Sequence, residues 1–119
     1  MAKGDDIQER LIDFSVAVIN LCGTLPDTQA GRHLAGQLLR CGTSPAPNYG
    51  EARGAESKND FLHKLRIVLK ELNESQVWLD VAARGTLVSK NQLAPIRQEC
   101  VELSKIINAS IQTSKSHKP

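Results

Sequence analysis

The sequence predicts an all-α fold, an antiparallel up-down four-helix bundle. Three observations carry it. Four segments space their apolar residues by threes and fours, no stretch alternates apolar and polar residues as a strand does, and the connections are short. The 119 residues fit one domain, 1–119, long enough to bury a core without metals or disulfides. A make-up that is 40% hydrophobic and 24% charged is that of a globular protein, not of a disordered chain.

The first helix is expected over about 5–22, where Ile7, Leu11, Phe14, Val18, Leu21 and Leu25 form one seam. Asp6 with Glu9 offers a capping box, and Gly23 with Pro26 ends the helix. Asp27 or Thr28 then caps a second helix over about 28–44, with Leu34, Leu38 and Cys41 on one face. Gly31, Gly36 and Gly42 each cost this helix about 1 kcal/mol relative to Ala, and their small size permits close approach of another helix. Pro45 and Pro47 lack a backbone donor and clash with the preceding turn, which places a kink or break near Thr43 and Ser44. A kinked extension would reach about residue 52, and Asn48 to Gly54 reads as a loop or a short irregular helix.

The third helix, 58–84, opens on a capping box from Ser57 to Asp60 and holds its seam with Leu62, Leu65, Leu69, Leu72, Gln76, Leu79 and Ala83. The fourth, about 90–112, opens on a second box (Ser89, Gln92) and a staple of Val88 with Leu93. Pro95 lies past its first turn, which argues for a start a few residues later. Leu93, Ile96, Cys100, Leu103 and Ile107 form its stripe, and the polar tail 113–119 is expected to be frayed.

Two helices carry a second apolar stripe. Ile67, Trp78 and Val81 lie away from the third helix's seam, and Ile12, Val16 and Ile19 lie away from that of the first. Such faces need cover. Either a wide core and overlying loops provide it, or these six residues form a subunit interface anchored by Trp78.

Charge is uneven. Residues 1–30 hold two basic and five acidic groups, whereas 31–70 hold seven basic and three acidic. The basic set is Arg32, Arg40, Arg53, Lys58, Lys64, Arg66 and Lys70, with His63, Arg66 and Lys70 aligned along the third helix. These charges are either a solvated face or a polyanion surface, and assembly of several copies would favour the second.

Other classes are disfavoured. Aromatics at 3% provide no platform for stacking bases, and a net charge of +2 does not by itself mark a nucleic-acid binder. No apolar run approaches a membrane span or a signal-peptide core, so a cytoplasmic protein without a membrane partner is expected. Cys22, Cys41 and Cys100 form no C-x-x-C pair and fall on or near apolar seams, as small core residues do. A dimetal bundle needs paired Glu-x-x-His motifs, and the nearest match is a single Asp60-x-x-His63; His33 and His117 have no ligand partners at useful spacing. There is no phosphate loop and no serine-nucleophile motif, so neither catalytic residue, metal nor cofactor is expected.

The stretch from Gln37 to Asp80 carries a distinctive set of residues. It runs Gln37-Leu38-Leu39-Arg40-Cys41-Gly42-Thr43-Ser44, then Asn48-Tyr49 and Glu51-Ala52, then Asp60 through Glu71, and finally Glu74-Ser75 with Trp78-Leu79. With the Leu25-Pro26 junction and the Gly85-Thr86-Leu87-Val88 connection, it resembles the bacterial four-helix-bundle family called the 23S ribosomal RNA intervening-sequence proteins. The resemblance implies a helical bundle assembled as a ring-shaped pentamer, encoded within insertions in ribosomal RNA genes or standing alone. It also implies kinship with the accessory variability protein of diversity-generating retroelements, a basic pentameric barrel that works with a reverse transcriptase and nucleic acid. Pro45 and Pro47 depart from the helix-compatible residues usual in the family, and Cys41 stands where Ser is common.

The sequence thus points to a non-enzymatic homo-oligomeric scaffold, pentameric by resemblance, that contacts RNA or DNA phosphates through the seven cations without reading bases. Asn48 and Glu51 are expected to make structural polar contacts near the kink. The alternative is a protein-interaction adaptor without nucleic-acid affinity, docking a reverse transcriptase or another protein.

Overall fold

A computed structural model describes residues 4–116. Five helical segments follow one another: α1 (Asp5–Cys22), α2 (Gln29–Thr43), α3 (Pro45–Arg53), α4 (Lys58–Arg84) and α5 (Lys90–Ser116). No strand occurs among the described residues. α2 and α3 share one arm of the bundle, so the four arms run up, down, up and down. α1 packs on α2 and α5, as does α4, while α1 and α4 occupy diagonal corners with no close approach of their backbones. The fold is the expected four-helix bundle.

Local chemistry sets most boundaries. The Thr28 hydroxyl accepts the Gly31 N–H at 3.1 Å, Ser57 accepts that of Asp60 at 3.0 Å, and Ser89 accepts that of Gln92 at 3.2 Å. The expected Asp6–Glu9 box does not form. Gly4 caps α1 instead, at φ 90° and with no side-chain cap bond, and its carbonyl accepts the Gln8 N–H at 2.9 Å. A Cβ at Gly4 would stand 2.9 Å from the Tyr49 hydroxyl, so both the backbone angle and the space call for glycine.

The two prolines break the second arm at Ser44. Pro45 and Pro47 occupy the first and third positions of α3, where a missing N–H forfeits no bond inside that helix. The segment expected as a loop or irregular helix is therefore the regular α3. Its Asn48 amide donates to the Ser44 carbonyl at 3.0 Å and the Ser44 hydroxyl at 2.9 Å, the structural role expected of Asn48.

α4 ends in a Schellman motif. The Leu87 N–H reaches the Ala82 carbonyl at 3.0 Å and the Thr86 N–H reaches that of Ala83 at 3.1 Å. Thr86 occupies the left-handed position, at φ 57°. α5 starts at Lys90 without the expected slip and carries Pro95 inside its second turn. It runs on to Ser116, four residues beyond the expected end at 112; residues 117–119, with His117, lie outside the described part.

The core is a continuous apolar column from Leu11, Phe14, Val18 and Leu21 through Leu34 and Leu38 to Leu103, Ile107 and Ile111. The α4 seam differs from expectation. It passes through Leu62, Leu65, Val68, Leu72, Ser75, Leu79 and Ala82, leaving Leu69, Gln76 and Ala83 half-buried. The buried stripe keeps a seven-residue repeat, Leu65/Leu72/Leu79 and Val68/Ser75/Ala82, but its second row lies one position earlier than expected, at Val68 and not Leu69. Ser75 is fully buried, its hydroxyl donating to the Glu71 carbonyl at 2.8 Å.

Candidate interaction surfaces

Catalysis needs a concave site with converging polar groups. The candidate concavity is an open groove of about 290 Å³ between the end of α4 and the start of α5, lined by Asp80, Ala83, Arg84, Leu93, Ala94 and Arg97 among others. Its one carboxylate is taken up by Arg97, whose Nε donates to Asp80 Oδ1 at 2.7 Å. That contact also holds the Asp80 carboxyl below its ordinary value. Among the described residues no three His, Cys, Asp or Glu side chains cluster as metal ligands do.

The cysteines belong to the interior. Cys41 and Cys100 are buried and Cys22 half-buried. Burial pushes the Cys100 thiol up to about 12 and the Cys22 thiol up to about 11. Neither supplies a thiolate near neutrality. The Cys100 thiol points at the Leu72 carbonyl, 3.1 Å away.

Most of the seven expected phosphate ligands have partners within the chain. Arg32, at the top of α2, pairs with Asp27 at 2.8 Å. Arg40 reaches across to α4 and pairs with Glu71, at 3.3 Å, and with Glu74. Arg53 at the foot of α3 meets Asp5 at 2.6 Å, and Lys64 on α4 meets Glu51 at 3.5 Å. Lys58 is also engaged within the chain. Arg66 and Lys70 differ: both are exposed on the outer face of α4, and no carboxylate among the described residues lies within ion-pair distance. Five of the seven cations are thus engaged within the chain, four of them in ion pairs that tie helix to helix or helix to loop.

The outer apolar faces are real on two corners. Ile12, Val16 and Ile19 on α1 are 41%, 50% and 49% exposed, and Val81 on α4 is 44% exposed. Val77, overlooked in the sequence although it stands four residues before Val81, is 60% exposed. Ile67 and Trp78 are half-buried. Trp78 packs against the core, its indole N–H donates to Glu74 at 3.2 Å, and the His33 ring meets it edge-on with centroids 5.9 Å apart. Glu74 therefore joins Arg40 to Trp78.

The profile described as 23S rRNA-intervening sequence protein matches residues 5–109, nearly the whole described bundle. The chain belongs to this family. A solved crystal structure agrees with the placement: a protein of unknown function from the S23 ribosomal protein family of Bacteroides thetaiotaomicron is 33% identical. The similarity covers 88% of this chain and 97% of that one, with a TM-score of 0.83. No curated protein matches. The family description names no enzymatic activity, and among the described residues no helix is long and apolar enough to cross a membrane.

Proposed function

We propose that this family member is a non-enzymatic helical scaffold that associates with copies of itself. One observation carries the reading: two exposed apolar stripes, Ile12/Val16/Ile19 and Val77/Val81, lie on helices at opposite corners of one bundle. A helix of a solitary bundle needs one buried stripe, and a second stripe left in water is the usual mark of a protein contact. Two such faces on different helices allow each copy to engage two neighbours. Sedimentation velocity from micromolar to millimolar concentration tests it. The expected mass is a multiple of the 13.0 kDa chain, five-fold if the number follows the family resemblance. A monomer throughout that range overturns the reading.

A second reading, contact with RNA or DNA, is favoured by Arg66 and Lys70, the exposed pair that the bundle's own carboxylates leave alone. Filter binding of a generic RNA across a salt series tests it. The double variant Arg66→Gln/Lys70→Gln should lower the salt slope by about 1 to 2 units if both cations release counterions from phosphates. An unchanged slope, or no binding by the native protein, removes it.

A further inference from the structure

The outer faces of α1 and α4 are complementary along their length. On α1, reading upward, the exposed positions include Asp6 and Glu9, then Ile12 and Asp13, then Val16, Ile19 and Asn20. On α4, again reading upward, they include His63, Arg66 and Lys70, then Asn73, then Val77 and Val81. Between Asp6 and Ile19 the one face is acidic below and apolar above; between His63 and Val81 the other is basic below and apolar above, with Asp60 and Arg84 beyond its two ends. The two helices run the same way, since each is antiparallel to α2 and α5.

We propose that the α1 face of one copy seats on the α4 face of the next in parallel register, an inference that rests on the self-association reading above. A single offset satisfies all four contacts. Asp6 meets Arg66, Glu9 meets Lys70, Val16 meets Val77 and Ile19 meets Val81, each pair separated by 60 to 62 residues in sequence. Other arrangements fail on charge. Placing α1 on α1 sets acid against acid, and placing α4 on α4 sets base against base. Reversing the direction of one helix sets carboxylates against valines. Like charges brought together at an interface oppose association, so the signs select one orientation as well as one partner.

Charge reversal with rescue tests the pairing by sedimentation, with circular dichroism confirming the helical fold of each variant. Arg66→Glu/Lys70→Glu and Asp6→Lys/Glu9→Lys should each lose the assembled species, and a chain carrying all four changes should regain it. A monomeric native protein overturns the scaffold reading and this inference together. An assembled native protein whose mass either double variant leaves unchanged, or whose fourfold variant stays dissociated, overturns this pairing alone. Loss of RNA binding without loss of assembly in Arg66→Glu/Lys70→Glu does the same and assigns the cations to phosphate. A photoreactive residue in place of Val16 gives an independent check. Crosslinks from one copy should map to the neighbour's peptide around Val77, and crosslinks confined to α1 overturn the register.

Discussion

The Ser15 hydroxyl of α1 lies 3.1 Å from the carbonyl oxygen of Gly42, at the point where two prolines stop α2. Pro45 and Pro47 withhold the N–H groups that the Cys41 and Thr43 carbonyls on either side of Gly42 would meet in a continuous helix. The contact needs α1 very close. A Cβ at Gly42 would stand 2.7 Å from Val18 Cγ1. Gly42→Ala should lower stability by roughly 1–3 kcal/mol through overpacking, and Val18→Ala should lower it through a cavity. Combined in one chain, the two should cost less than their sum, because the second removes the atoms the first strikes. Urea unfolding of the four proteins of this cycle checks it, and strict additivity refutes the close approach.

The glycines of α2 separate into opposite cases. At Gly31 a Cβ would sit 1.9 Å from the Pro26 carbonyl oxygen, a backbone atom of the preceding connection that cannot rotate away. At Gly36 it would meet nothing within 4 Å. Gly31→Ala should therefore destabilise strongly, whereas Gly36→Ala should stabilise by about 1 kcal/mol through helix propensity alone. Thermal denaturation of the pair decides it, the two midpoints moving in opposite directions from that of the native protein.

Thr86 holds a left-handed conformation at the end of α4, at φ 57°. A β-branched residue there costs on the order of 1–2 kcal/mol. The Schellman bonds require the conformation whatever the side chain, since Leu87 and Thr86 donate back to Ala82 and Ala83. Thr86→Gly and Thr86→Asn should each raise the denaturation midpoint, Asn losing less entropy on folding. A lower midpoint for both would show that the Thr86 side chain contributes more than its backbone strain costs.

The elements that sequence alone revealed were those fixed by local chemistry. Thr28, Ser57 and Ser89 announced three helix starts because a cap acts within three residues, and Pro45 and Pro47 announced the break for the same reason. Features set by distant neighbours were not legible. The α4 seam shifts from Leu69 to Val68 because α2, α3 and α5 all press on it. The pairing of Arg40 with Glu71 and Glu74 was not legible, because those carboxylates lie more than thirty positions along the chain. Trp78 stood off the predicted seam and nevertheless packs against the core, with His33 of another helix meeting its ring.

Ion pairs across the helix seams make stability depend on pH on the acid side. Asp80 titrates below its ordinary 3.8, chiefly because Arg97 hydrogen-bonds its carboxylate. A depressed folded value contributes stability that is present above the unfolded value and is lost as pH falls through the folded one. Native protein should therefore lose stability on acidification below about pH 4, and Asp80→Asn should lose less over that interval. Both side chains keep a third or more of their surface in water, so the difference should stay below about 1 kcal/mol. Urea midpoints measured from neutral pH downward check the sign. Identical acid limbs for the two proteins would remove Asp80 from the explanation.

Thiol chemistry reports the packing directly. Cys41 and Cys100 sit at 0% exposure, and the raised Cys100 thiol has neither solvent nor cationic neighbours enough to ionise near neutrality. Alkylation at mild alkaline pH requires a thiolate that the reagent can reach. Cys22, half-buried at the end of α1 with its thiol directed at the Ala35 carbonyl, should react first and slowly. Cys41 and Cys100 should react only as fast as the bundle opens, and together, because both are held in the core shared by α2, α4 and α5. Mass spectrometry of a timed iodoacetamide reaction distinguishes the three. In urea all should label at one common rate. Labelling of Cys100 in native protein at that same rate would contradict a closed core around Leu72 and Leu103.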